Sequence, residues 1–104
     1  MNNKHFIVHV DMVALEKFAL HVEFLARVSE QAAMNLYTAY KESLTALEIF
    51  PRACPPYSSK LYPQREFRHR VFCKRYRIVF EILDNTVYIF DIQDCRQDYD
   101  KNLI

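Results

Sequence analysis

The sequence predicts an α+β fold. Two layers in the order β-α-α-β-β-β should place a helical hairpin on a largely antiparallel sheet. Three observations carry this prediction. Apolar residues recur at helical spacing from Ala14 to Leu47. A proline-rich break follows, with Pro51, Pro55, Pro56 and Pro63. Beyond it, Glu66 to Gln93 runs at strand spacing with two turn signals inside.

Lys4 to Val10 reads as the first strand, with Phe6, Val8 and Val10 on one side and Ile7 and His9 on the other. Asp11 follows as a helix N-cap, because its carboxylate can accept from the first free amides. Ala14, Leu15, Phe18, Ala19, Val22, Leu25 and Ala26 form the apolar stripe of the first helix. Ser29 caps a second helix, with Glu30 in the first turn where the dipole favours a negative charge. Its stripe is Ala33, Leu36, Tyr37, Tyr40, Leu44 and Leu47, and Tyr37 and Tyr40 read as core. Only about two or three residues are left between the helices, so they should pack as an antiparallel hairpin. Pro51 ends the second helix, since it has no N–H to continue the ladder.

Residues 51–64 read as a stiff loop pinned by Tyr57, Leu61 and Tyr62. Glu66 to Phe72 alternates, with Phe67, His69 and Val71 on one face and Arg68, Arg70 and Phe72 on the other. Cys73, Lys74 and Arg75 make a turn. Tyr76, Ile78, Phe80 and Ile82 form one face of the next strand, and Arg77, Val79, Glu81 and Leu83 the other. Asp84 and Asn85 suit a two-residue hairpin, because both tolerate positive φ. Val87 to Gln93 is apolar on both faces, as an interior strand should be. A charged tail runs from Asp94 to Ile104.

Composition narrows the function. The 104 residues suit one domain, and 51% hydrophobic content excludes a disordered chain. No apolar run is long enough for a bilayer, and the start passes directly into Phe6-Ile7-Val8 without a signal-peptide pattern. Glycine is absent, which excludes a phosphate-cradling glycine loop and a dinucleotide fingerprint. Cys54, Cys73 and Cys95 form no CxxC pair, and His5, His9, His21 and His69 lack ligand spacing. The sequence therefore predicts no metal, no cofactor and reduced thiols in a cytoplasmic setting.

Charge is the strongest functional signal. The net of +1 conceals a basic block. From Lys60 to Arg77, seven Lys/Arg stand against Glu66 alone, a net of +6. Residues 1–59 carry −1 and residues 78–104 carry −4. Such a block attracts phosphates or an acidic protein. The plainer explanation is that the arginines are solvated strand positions that discourage edge pairing.

The element order, the close of the second helix at Leu47 to Pro51, and above all Tyr76-Arg77-Ile78-Val79-Phe80-Glu81-Ile82 resemble the RelE/ParE superfamily, the toxins of bacterial type II toxin–antitoxin modules, also called plasmid stabilisation proteins. Asp94-Cys95-Arg96-Gln97-Asp98-Tyr99 resembles the ending of ParE-like members. The resemblance spans nearly the whole chain. It implies a sheet whose first strand lies beside the last, and a cognate antitoxin that holds the toxin silent.

The resemblance leaves two targets open. RelE-like members cut mRNA on the ribosome, and ParE-like members bind DNA gyrase. A nuclease of this kind needs cations at the phosphorus and groups to move protons. Arginine suits the cation role because its fork pairs with phosphate oxygens and keeps its charge. On the RelE pattern, Arg68 and Arg70, nine and seven positions before Arg77, supply part of the cationic set, and Arg96 and Tyr99 occupy the C-terminal arginine and aromatic places. Asp98 stands where some nuclease members carry histidine, and a carboxylate with an ordinary pKa of about 4 transfers protons poorly near neutrality. The catalytic set implied is Arg68, Arg70, Arg77, Arg96, Asp98 and Tyr99. A third possibility is a module that has lost toxicity and only binds an acidic antitoxin-like peptide.

Overall fold

The computed structural model describes residues 5–96. The predicted start at Lys4 and the tail beyond Arg96 lie outside the described residues. Strand β1 is Ile7–Val10, and helix α1 is Met12–Val28. Helix α2 is Glu30–Ile49, and a single 3₁₀ turn covers Pro51–Ala53. Four strands follow: β2 Pro56–Tyr57, β3 Phe67–Phe72, β4 Tyr76–Leu83 and β5 Thr86–Asp94.

The sheet runs β1-β5-β4-β3-β2. β1 is parallel to β5, and the other pairs are antiparallel. Parallel neighbours need a crossover rather than a tight turn, and the helical hairpin is part of that crossover. The predicted α+β order holds, with one correction. The loop over 51–64 also contributes β2, because Pro56 and Tyr57 lie opposite Arg68 and Phe67. The sheet therefore has five strands.

Both predicted caps form. The Asp11 carboxylate accepts from the Val13 N–H at 3.0 Å, and the Ser29 hydroxyl oxygen accepts from the Ala32 N–H at 3.1 Å. Ser29 also closes α1 by donating its own N–H to the Leu25 carbonyl at 2.8 Å. One residue thus ends one helix and starts the next, where two or three were expected.

The core between helices and sheet joins Ala14, Phe18, Leu36, Tyr40 and Leu47 to Phe72, Tyr76, Ile78, Phe80, Val87, Ile89 and Ile92. The Phe18 ring lies 4.5 Å from Tyr40 and 5.9 Å from Phe72, within the range where aromatic pairs attract beyond simple area burial. Both helical stripes are narrower than predicted. Leu15, Ala19 and Ala26 are exposed on α1. Tyr37 is exposed on α2, its ring under the Lys41 ammonium, and Ser43 is buried. Each helix has a single sheet face to cover, so residues at the margins of its stripe stay wet.

The turns carry backbone strain because no glycine is available. Cys73 and Lys74 have φ of 51° and 67°, and Asp84 has φ of 55°. A left-handed residue other than glycine costs about 1–2 kcal/mol, less for Asp, whose side chain can hydrogen-bond locally.

A β-bulge sets the faces of β5. Phe80 lies opposite Ile89, while Val79 lies opposite Asp91, so Phe90 is the extra residue. The bulge inverts the alternation. Val87 and Ile89 belong to the helix-side core, and after the bulge Ile92 rejoins it. Gln93 then stands opposite Arg77, on the face turned away from the helices.

Candidate functional site on the open face of the sheet

The face away from the helices has its own small core: Phe67 and Val79, with Tyr57 and Phe90 packed against them. Two polar arrangements rest on it.

The first is centred on Arg65. Its guanidinium lies 5.1 Å from the Tyr62 ring centroid, 4.9 Å from Phe67 and 4.8 Å from Phe90. Its Nε and Nη2 both donate to the Glu81 carboxylate. The Glu81 bond is the leading cause that raises the Arg65 pKa further above its ordinary value. Arg65 therefore fills an aromatic cage with its charge already matched.

The second is centred on Arg77. Its Nε and Nη2 donate to the Gln93 Oε1 at 3.0 and 2.8 Å, and its Cζ lies 5.2 Å from the Tyr57 ring centroid. Gln93 Nε2 donates to the Tyr57 hydroxyl at 3.2 Å and to Asp91 Oδ2 at 3.1 Å. Asp91 Oδ1 takes Lys17 Nζ, from α1, at 3.0 Å. Lys17 reaches β5 past the end of β1, whose pairing stops at Val10 opposite Ile89. His69 stands edge-on to Tyr57 at 5.9 Å, and its Nδ1 is enclosed without a hydrogen-bond partner among the described residues. Burial lowers the His69 pKa, the Arg77 charge lowers it further, and the Pro56 carbonyl opposes both.

Strand register divides the predicted site residues. Phe72 lies opposite Tyr76, so Arg70 lies opposite Ile78 and Arg68 opposite Phe80, and all three β4 partners belong to the helix-side core. Arg68 and Arg70 consequently share neither a face nor a partner with Arg77. Arg68 Nη1 donates to the carbonyls of Cys54 and Arg52, at 2.7 and 3.2 Å, and so holds the segment after α2. Arg70, beyond the two β3 residues that pair with β2, lines a cavity with Phe50, Ala53 and Cys54, and its Nε is enclosed without a partner among the described residues. Cys54 feels both guanidinium groups, but burial dominates and raises its thiol pKa.

Arg96 lies at a third place. Its Nε and Nη2 donate to Asp94 at 3.3 and 3.2 Å, beside His21 and Tyr76. Burial works to raise the Asp94 pKa, but the Arg96 bonds outweigh it and the net shift is downward. Asp98 and Tyr99 lie outside the described residues. The predicted convergence of the arginines on one surface is therefore not what the chain builds.

Sequence reasoning missed Tyr57, Arg65, His69, Asp91 and Gln93. Glu81, which shares a strand face with Arg77, binds Arg65. A signal for the Arg77–Gln93 pair was present, since β4 and β5 were read as adjacent antiparallel strands. The bulge that aligns the two residues was not visible.

A helical hairpin packed on a mostly antiparallel five-stranded sheet, whose first strand lies parallel to its last, is a RelE-like α+β fold. The class is that of small toxins of toxin–antitoxin modules. Residues 9–99 match the family of the ParE toxin of the type II toxin–antitoxin system parDE, and the chain belongs to that family. Membership implies a cognate antitoxin as partner. No curated protein matches the chain closely. Among the described residues, no helix is long and apolar enough to cross a membrane.

Proposed function

We propose that the chain is a cytoplasmic toxin that arrests growth by gripping DNA gyrase in the ParE manner, with Arg77 as a contact residue, and that its antitoxin silences it. One observation carries the choice of target. Arg77 is alone among Arg68, Arg70, Arg77 and Arg96 in standing on the open face, so the cations a phosphoryl site needs do not surround one point. Arg68 and Arg96 are also engaged by carbonyls and a carboxylate of the chain itself.

A second reading rests on a separate observation. His69, with a lowered pKa, stands beside Arg77, and a base and a cation on one face are the start of a ribonuclease site.

Induction of the chain alone in a bacterium separates these readings. The expected result is growth arrest with intact mRNA, and loss of supercoiling activity when the purified chain meets gyrase. Translation-dependent mRNA cuts that disappear in His69→Gln would instead establish the nuclease. Normal growth would mark a module that binds antitoxin without being toxic.

A further inference from the structure

Arg77 is held from the helical layer. The relay runs from Lys17 Nζ to Asp91 at 3.0 Å, from Asp91 to Gln93 Nε2 at 3.1 Å, and from Gln93 Oε1 to Arg77 Nε and Nη2 at 3.0 and 2.8 Å. Asp91 and Gln93 are both 0% exposed, so water cannot substitute for these partners.

We propose that Lys17, Asp91 and Gln93 are positioning residues for Arg77, and that this chain of bonds fixes the direction in which its guanidinium meets the target.

The logic lies in the two unlike ends of an amide. An ionised carboxylate only accepts hydrogen bonds, and a guanidinium only donates. With Asp91 on one side and Arg77 on the other, Gln93 has one satisfactory orientation: Nε2 toward Asp91 and Oε1 toward Arg77. The flipped amide would set oxygen against carboxylate and N–H against N–H. Oε1 then takes two guanidinium N–H groups at once, which fixes the plane of the fork over Tyr57. Among the described residues, the N–H groups on the far edge of the fork take no partner, which leaves them for the target. Lys17 balances the Asp91 charge at the start of the relay. Without that ammonium, a fully enclosed carboxylate loses its counter-charge, and the constraint on Gln93 loosens.

The bulge makes the relay possible. Opposite strand positions pair Gln93 with Arg77 only because Phe90 shifts the register. Lys17 reaches Asp91 only because β1 stops before that residue.

This inference rests on the reading of Arg77 as a target contact. The test uses the full chain with isotope-labelled arginine. The Arg77 Nε–H resonance, assigned by its loss in Arg77→Lys, should be resolved and slow to exchange in the wild type. Lys17→Met should shift it and speed its exchange, and Lys17→Arg should restore it. Gln93→Met, which removes the chelating oxygen, should move the resonance further. Lys17→Met should weaken growth arrest several-fold in the wild type and add nothing in an Arg77→Ala background. An unmoved resonance, with an arrest defect that adds fully to that of Arg77→Ala, would overturn the relay and leave Lys17 a purely structural residue. If Arg77→Ala arrests growth like the wild type, the target-contact reading fails. The resonance alone then decides whether the relay holds the guanidinium.

Discussion

Arg77 and Gln93 face each other across β4 and β5, and a single amide oxygen takes two guanidinium N–H groups at 3.0 and 2.8 Å. Lysine cannot reproduce this arrangement, because an ammonium has no fork and no flat face for Tyr57. Arg77→Lys should therefore behave nearly like Arg77→Ala. Each should weaken growth arrest by about tenfold, the equivalent of about 1.4 kcal/mol at a contact. A dose series of induced toxin against growth rate checks this.

Arg68 serves the fold. Its Nη1 bonds to the Cys54 and Arg52 carbonyls tie the segment after α2 to β3. Arg68→Ala should cost about 1–2 kcal/mol, since hydrogen bonds to a charged group exceed the neutral average. For a domain of this size, the melting temperature should fall by roughly 4–8 °C per kcal/mol. Calorimetry gives the value.

Two histidines resist protonation in the folded chain. Burial leads in lowering both His21 and His69; Asp94 opposes it at the first and the Pro56 carbonyl at the second. Above the ordinary pKa of about 6.5, both states are neutral and neither histidine contributes. Below it, the unfolded chain takes up protons that the fold refuses, so stability falls as the pH drops. Melting temperature should decline from pH 7.5 to pH 5.5, and the slope should flatten in His21→Gln/His69→Gln.

The turn between β3 and β4 stores strain in a chain without glycine. Lys74 has φ of 67°. Lys74→Gly should stabilise by up to about 1 kcal/mol, because relief of the left-handed penalty exceeds the added freedom of the unfolded chain. Urea unfolding should show a higher midpoint with an unchanged slope.

Phe18 packs against Tyr40 and Phe72 with 2% of its surface exposed. Phe18→Ala should cost about 3–5 kcal/mol. Measurement of denaturant midpoints tests that figure.

Much of the fold was legible because local chemistry decides it. Asp11 and Ser29 announced the helix starts, Pro51 the stop, and Asp84-Asn85 the hairpin. The place of β1 beside β5 came from resemblance. The site was harder to read. The split between Arg68/Arg70 and Arg77 was in principle visible: Phe72 shares parity with Arg68 and Arg70, Tyr76 shares parity with Ile78, and both aromatics must be buried. Spacing along the chain suggested a single set, and strand parity divided it. The extra residue at Phe90 left no local mark, since Val87 to Ile92 is apolar at nearly every position. β2 was hidden in a proline-rich segment because its two residues pair only through long-range contact.

The parallel match of β1 with β5 has a consequence for timing. β5 is the strand against which both β1 and β4 lie, and among the described elements it is translated last. A nascent chain can wind its helices early, but its sheet stays unfinished until Asp94 has left the ribosome. The open-face network of Arg77, Gln93 and Asp91 is thus completed by that late strand, so a partly made chain presents no Arg77 held by Gln93.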